Sequence, residues 1–170
     1  AIAIRRKLAD GNDNSEQRAQ IYAYLSESAA EELQDYELAQ EIAAEALHCQ
    51  PRLHHVRLRR IEYLERCHQR QKMLDEMQVL LRTGDLEPTE RNVLVRRKAT
   101  IEEEVFQDLH AATRTLENEL ERALEDRIGL DVLLKHLVEL QEKQGEWNAG
   151  YQSLLGVLKR VPQGNEVWGA

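Results

Sequence analysis

Apolar side chains recur along this chain at intervals of three and four residues, the spacing that places them on one face of an α-helix. Leu38, Ile42 and Ala46 show the pattern early in the chain, and Leu133 and Leu137 show it near the end. Only three prolines and eight glycines occur among 170 residues, so long stretches lack helix breakers. The pattern predicts an all-α protein.

Breaker residues divide these stretches into pairs of helices. The prolines stand at positions 51, 88 and 162, so the second interval is twice the first. Such a period is typical of arrays in which each helical hairpin has an apolar face that only a neighbouring hairpin covers. We predict stacked antiparallel helical hairpins, an α-solenoid, in one helical-repeat domain over 15–162. The predicted hairpins span about 15–50, 51–87, 88–129 and 130–162, after an irregular or helical lead-in at 1–14 and before an irregular tail at 163–170.

Residues 89–128 contain neither glycine nor proline. Their apolar positions, among them Leu94, Ile101 and Leu116, recur at close to 3.6 residues per turn rather than at the 3.5 of a coiled coil. This spacing predicts one long straight helix over about 89–128 that lies on other helices. A break near 111–115 is the alternative.

Two segments of the chain share one pattern of residues. The first segment is DYELAQEIAAEALHCQP, residues 35–51, and the second is GEWNAGYQSLLGVLKRVP, residues 145–162. The matching positions are Tyr36, Ala39, Ala46 and Pro51 in the first, and Trp147, Gly150, Leu154 and Pro162 in the second. These positions resemble the tetratricopeptide repeat family, in which an aromatic residue follows the turn, small residues lie where helices cross, and a proline closes the unit. The resemblance covers about half of the chain and implies a tetratricopeptide-like fold that binds other proteins. The pattern is also faintly similar to bacterial membrane-anchored tetratricopeptide scaffolds.

The charge balance narrows the range of partners. The chain has a formal net charge of −8, which argues against general nucleic-acid binding because that needs a basic face. No run of apolar residues is long enough to span a membrane. The sequence begins with Ala1, so we expect it to be an excised segment. We expect a cytoplasmic protein, or one on the cytoplasmic side of a membrane if an anchor lies outside the segment.

Residues 47–68 hold both cysteines and four of the six histidines, which raises the question of a zinc site. The candidate ligands are His48, Cys49, His54, His55, Cys67 and His68. The chain reverses around Pro51, so His48 or Cys49 can approach His55. Cys67 and His68 lie about 18–20 Å further along the same helix, so a compact tetrahedral site cannot use both groups. We predict no metal site and no cofactor, with Cys67 as a small core residue.

The same region is rich in arginine. The residues Arg52, Arg57, Arg60, Arg66 and Arg70 form a predicted basic face in an otherwise acidic chain. Guanidinium groups bind carboxylates and phosphates in planar bidentate pairs. The basic face therefore predicts an acidic peptide as a partner, and a solvated face paired with glutamates is the alternative.

No motif for catalysis stands out. No serine lies in a G-x-S-x-G elbow, and neither cysteine has a histidine placed to activate it. We expect this segment not to be an enzyme. Trp147 and Tyr151 raise the possibility of ligand stacking, but their helical spacing predicts core packing.

Two functions fit these observations. The first is an interaction scaffold or adaptor that holds a peptide or helix of a partner protein on its helical-repeat surface. The second is a helical oligomerisation or accessory domain of a larger enzyme or regulator whose catalytic part is not in this segment. A homo-oligomer would favour the second function.

Overall fold

The computed structural model describes residues 11, 13–83, 86–126 and 128–160. Most of the predicted lead-in, the whole predicted tail and Pro162 lie outside these residues. All regular secondary structure in the described ranges is α-helical, which confirms the all-α prediction. The helices in those ranges are α1 (Ser15–Glu32), α2 (Tyr36–Cys49), α3 (His54–Arg66), α4 (Arg70–Thr83), α5 (Pro88–Glu104), α6 (Leu109–Asp126), α7 (Leu130–Lys143) and α8 (Trp147–Arg160).

The structure divides into two compact units, one up to residue 85 and one from residue 86 onward. In the first unit, α1 packs on α2, α2 on α3, and α3 on α4. In the second unit, α5 packs on α6, α6 on α7, and α7 on α8. Each unit thus consists of two stacked helical hairpins. The assignment of 15–162 to a single domain stays a prediction.

Each hairpin turn contains one residue in the left-handed backbone region, and a new helix begins two residues later. These residues are Gln34, His68, Gln107 and Gly145. Five residues after each of them lies a buried residue that is small or flexible, and these are Ala39, Met73, Ala112 and Gly150. All four turns therefore place a left-handed residue at the same distance before the next helix, although only one of the four residues is glycine.

The turns alternate between a wide and a tight form. In the α1–α2 turn the amide of Asp35 donates to the carbonyl of Ala29, 3.1 Å away, and in the α5–α6 turn the amide of Asp108 donates to that of Glu102, 2.9 Å away. Both bonds span six residues. The turns before α4 and α8 are closed by bonds that span five, as in the Schellman motif. Both units thus have a wide turn followed by a tight one.

The core of the first unit lies between α1, α2 and α3. Its centre is formed by small and branched side chains, which let the helices approach closely. Leu25, Ala39, Ile42, Ala43 and Ala46 are fully buried there. The small residues at the predicted crossing positions therefore lie where the helices meet.

The second unit combines an apolar core with buried ion pairs. Leu116, Leu133, Leu137 and Leu140 supply the core between α6 and α7. Between α5 and α6, Arg91 Nε donates to Glu119 Oε1 at 2.6 Å, and buried Lys98 pairs with Glu102 and donates to Thr115 Oγ1 at 2.7 Å. These side chains give each buried charge a partner, which avoids the cost of burying it alone.

The prediction of one continuous helix over about 89–128 is wrong, because α5 ends at Glu104 and α6 begins at Leu109. The break falls at 105–108 rather than at 111–115. It needs neither glycine nor proline, since Gln107 adopts a φ of 54° and the Asp108 carboxylate accepts from the amide of Ala111 at 2.9 Å. Asp108 thereby caps the new helix.

Candidate functional site

Two of the arginines predicted to bind a partner form ion pairs inside the first unit. Arg57 and Arg60 both project from α3 and both pair with Glu76 on α4. Arg57 is buried and also donates through Nη2 to the carbonyl of Pro51, 3.0 Å away. Glu76 thus bridges two guanidinium groups, and this cluster holds α3 and α4 together.

The remaining arginines of the predicted basic face lie apart from this cluster. Arg52 is exposed in the turn before α3. Arg70 is half-buried and lies 3.5 Å from Glu65. Arg66 stacks over the ring of Tyr36, 5.8 Å from its centroid. The structure therefore does not bring the five arginines together as one free surface, and binding of an acidic peptide stays a prediction.

Arg66 and Tyr36 belong to a cleft of about 470 Å³ in the first unit. The ring of Tyr36 lies 6.3 Å from the ring of Tyr63. Burial raises the pKa of Tyr63, and the nearby carboxylate of Glu27 raises it further. Tyr63 is thus kept as a neutral phenol that packs on the core of this unit.

The cysteine and histidine stretch does not form a metal centre in the described part of the chain. No three His, Cys, Asp or Glu side chains converge there in a way that could hold a metal ion. Cys49 and Cys67 are free and half-buried. Burial raises the pKa of the Cys67 thiol, which reduces its reactivity as a nucleophile.

Helix α8 presents the most unusual surface of the second unit. Its buried face, which packs on α7, carries only small or medium residues, chiefly Gly150 and Val157. Four of its five large apolar or aromatic residues are exposed instead, and the fifth, Leu155, is half-buried. We call this exposed row the α8 stripe, and it consists of Trp147, Tyr151, Leu154 and Leu158.

The prediction that Trp147 and Tyr151 pack in the core is wrong. Trp147 is 65% exposed and Tyr151 is 59% exposed, while Leu158 is 53% exposed. The spacing of i, i+4, i+7 and i+11 does place the stripe on one helix face. That face lies beside the one that Gly150 and Val157 bury against α7, so no described helix covers it.

The other predicted repeat positions divide between core and surface. Ala39, Ala46 and Gly150 are buried, and Tyr36 packs half-buried against the core of the first unit. Pro51 is exposed in the turn before α3. Leu154 is 37% exposed and belongs to the α8 stripe.

The α8 stripe is long and wide enough to receive a helix. Eleven residues separate its ends, which corresponds to about 16 Å along the axis. An aromatic side chain covers roughly 150–250 Å², so the exposed parts of Trp147 and Tyr151 present on the order of 250 Å². With the two leucines the stripe approaches about 400 Å², the size of the apolar patches that mark functional surfaces. No acidic residue occurs in α8, and its last turn carries Lys159 and Arg160.

Comparisons with known proteins support the fold. No protein-family model matches the chain, and no curated protein matches it. Its structure is similar to that of a solved protein described as "MamA RS-1 ArsTM double mutant", with a TM-score of 0.55 and 11% sequence identity. The match covers 94% of this chain and 82% of that chain. MamA is a tetratricopeptide-repeat protein, so this chain has a tetratricopeptide-like helical-repeat fold.

Within the described residues, no helix combines the length and apolar character needed to cross a membrane. The stripe could have been found in the sequence. Gly150 and Ser153 are two of the residues that lie next to α7, and such small residues add little to a core beside Val157.

Proposed function

We propose that this protein is an interaction scaffold and that the α8 stripe holds an amphipathic helix of a partner protein. The observation that carries this proposal is the orientation of α8, which buries its small residues and exposes Trp147, Tyr151 and Leu158. Burial of such a row on a partner is favourable because it removes apolar surface from water. Aromatic residues of this kind contribute strongly to binding free energy at interfaces.

The width of the stripe favours a helix as the occupant. Side chains at i, i+4, i+7 and i+11 form a ridge along one helix, and such a ridge packs between the side-chain rows of a second amphipathic helix. The partner helix would carry apolar residues at the same spacing. Acidic residues on it would lie beside Lys159 and Arg160, the basic last turn of α8. Under this proposal the segment acts by binding and catalyses no reaction.

Self-association through the stripe is the alternative function. A stable interface buries about 800 Å² on each partner, roughly twice the area of the stripe. Two copies that met only through α8 would therefore form a weak dimer. The same area would limit a separate partner that met only the stripe, so the oligomeric state of the chain distinguishes the two functions.

The test compares three forms of the full chain as bait in extract from the source cells. The first is the wild type, and the second is a Tyr151→Gln, Leu158→Gln variant. The third carries Leu33→Gln, a matched control because Leu33 is 57% exposed but lies in the first unit. We expect a protein that the wild type and the control capture equally and that the double variant captures at least tenfold less.

A second measurement identifies what covers the stripe. In a Trp168→Phe background, Trp147 is the one remaining tryptophan. Its emission is expected to shift to shorter wavelength when the captured partner, or a peptide of its amphipathic helix, is added. Equal capture by the double variant would overturn the proposal. So would sedimentation that shows a dimer of the wild type alone, dissolved by Tyr151→Gln and Leu158→Gln, since the occupant would then be a second copy.

A further inference from the structure

A second surface of α8 forms one wall of a cleft in the second unit. The cleft has a volume of about 570 Å³ and is lined by residues of α6, α7 and α8. This volume falls within the range of about 300–1,000 Å³ that is usual for ligand sites. None of the four residues of the α8 stripe lines it. The cleft is therefore a separate site, independent of the function proposed for the stripe.

The floor of the cleft is apolar. Leu120 and Leu124 from α6, Leu137 from α7 and Val157 from α8 line it. Leu120, Leu137 and Val157 are otherwise part of the buried core. The cleft thus gives access from solvent to the edge of that core, and an apolar group placed there would leave water.

Gly156 leaves the α8 wall of the cleft open. A Cβ atom built at Gly156 would meet nothing within 4 Å, although glycine inside a helix is less favourable than alanine. No close helix contact requires glycine at this position. The missing side chain instead provides room in the cleft for a group from outside.

The rim of the cleft is acidic. Glu117 and Glu121 project from α6 and are exposed. Glu121 accepts from Arg160 Nη1 at 2.7 Å, but the two side chains are 68% and 58% exposed. An ion pair this exposed to water contributes little to stability. A cation from a ligand can therefore take the place of Arg160 at little cost.

We infer that this cleft binds a peptide segment in which an apolar side chain stands beside lysine or arginine. The apolar side chain would occupy the space next to Gly156 and contact the leucines of the floor. The adjacent cation would pair with Glu121 or Glu117. The acidic net charge of the chain, −8, favours the approach of such a basic segment.

The test uses three capped peptides as probes of the full chain: acetyl-Arg-Leu-Arg-amide, acetyl-Arg-Gly-Arg-amide and acetyl-Glu-Leu-Glu-amide. Amide chemical shifts in ¹⁵N-labelled protein report where each binds. We expect the first peptide to shift the amides of Ser153, Gly156 and Glu121. The peptide without leucine and the acidic peptide are expected to bind at least fivefold more weakly.

Variants at two glycines of α8 provide the decisive comparison. Gly156→Leu fills the cleft with a side chain of the chain itself and is expected to weaken binding of acetyl-Arg-Leu-Arg-amide at least tenfold, without lowering the melting temperature. Gly150→Ala, in the same helix but outside the cleft, is the matched control and is expected to bind as the wild type does. Equal binding of the leucine and glycine peptides would overturn the inference. Unchanged binding by Gly156→Leu, or shifts confined to the α8 stripe, would overturn it as well.

Discussion

The carboxylate of Glu76 on α4 accepts a hydrogen bond from the guanidinium group of Arg57 on α3, and it accepts a second one from Arg60 on the same helix. The Arg57 side chain is 8% exposed and that of Glu76 is 13% exposed. One acidic residue therefore compensates two cations that the helix pair shields from water. The sequence pattern predicted that these arginines bind a partner protein, whereas in the structure they bind Glu76 and join α3 to α4.

Removal of that carboxylate should destabilise the first unit. In Glu76→Gln, Arg57 stays shielded from water without an anion, and breaking a buried pair from one side costs about 3–5 kcal/mol. We expect a loss near the lower end, about 3 kcal/mol, because Arg60 is less shielded than Arg57. Urea unfolding followed by circular dichroism measures the change, and hydrogen exchange should locate it in α3 and α4.

Glu62→Gln is the matched control for this prediction. Glu62 pairs with Arg59 at 3.1 Å on the same helix, but the two side chains are 51% and 54% exposed. Its loss should change the free energy of unfolding by less than about 0.5 kcal/mol. Equal effects of the two substitutions would show that the Glu76 cluster is not shielded from water.

Glycine-to-alanine substitutions at two positions, Gly150 in α8 and Gly145 just before it, should change the free energy of unfolding in opposite directions. A Cβ at Gly150 would lie 3.7 Å from Gln141 Oε1 and 3.7 Å from Val138 Cγ1, which is ordinary contact. Gly150→Ala should therefore stabilise the second unit by about 0.5–1 kcal/mol through helix propensity. Gly145 has a φ of +78° and no close neighbour, so Gly145→Ala should destabilise by about 1 kcal/mol through backbone strain alone. Thermal unfolding of the two variants checks the signs, and two stabilising results would contradict the left-handed turn.

Substitution at Gln107 tests the break between α5 and α6. Its φ of 54° lies in the left-handed region, which costs a residue with a Cβ about 1–2 kcal/mol. Gln107→Gly should therefore stabilise the chain by up to about 1 kcal/mol, and Gln107→Val, with a branched Cβ, should destabilise it by about 1–2 kcal/mol. If Gln107 lay inside a continuous helix, Gln107→Gly would instead destabilise the chain, because glycine is a poor helix former. Chemical denaturation of the two variants distinguishes these outcomes.

The periodicity of apolar residues was sufficient to predict an all-α chain of stacked hairpins, because burial of one helix face is a local property of the sequence. The break at 105–108 was missed because the turn uses Gln107 rather than glycine. One signal was present, since Gln107-Asp108 repeats the Gln34-Asp35 dipeptide of the first turn. In both turns the aspartate caps the next helix, with Asp35 accepting from the amide of Leu38 at 3.0 Å.

The surfaces were harder to predict than the fold. Whether Arg57 is free depends on Glu76, which lies on another helix, and helical spacing does not show that pairing. The same limit applies to the α8 stripe. Periodicity shows that Trp147 and Tyr151 share a face with Leu154, but which face of α8 meets α7 depends on the small residues Gly150 and Val157.

Acid should weaken the contact between α5 and α7 through Glu103. Burial alone would raise the pKa of Glu103, but hydrogen bonds from Lys143 and His136 outweigh this and hold the pKa below its ordinary value of 4.5. His136 Nε2 lies 3.4 Å from the carboxylate.

A carboxyl group with a lowered folded-state pKa stabilises the fold above its unfolded pKa, and that stabilisation is lost as the pH falls through the folded-state pKa. Because Lys143 is 57% exposed, the ionised Glu103 carboxylate should contribute no more than about 1 kcal/mol to the free energy of unfolding. The difference in free energy of unfolding between wild type and Glu103→Gln should thus be constant at pH values above 4.5 and should shrink as the pH falls from there through the lowered folded-state pKa. Glu142→Gln, which removes an exposed carboxylate from α7, should instead follow the wild type across the range. A difference for Glu103→Gln that persists at low pH would show that the ionised carboxylate is not the stabilising group.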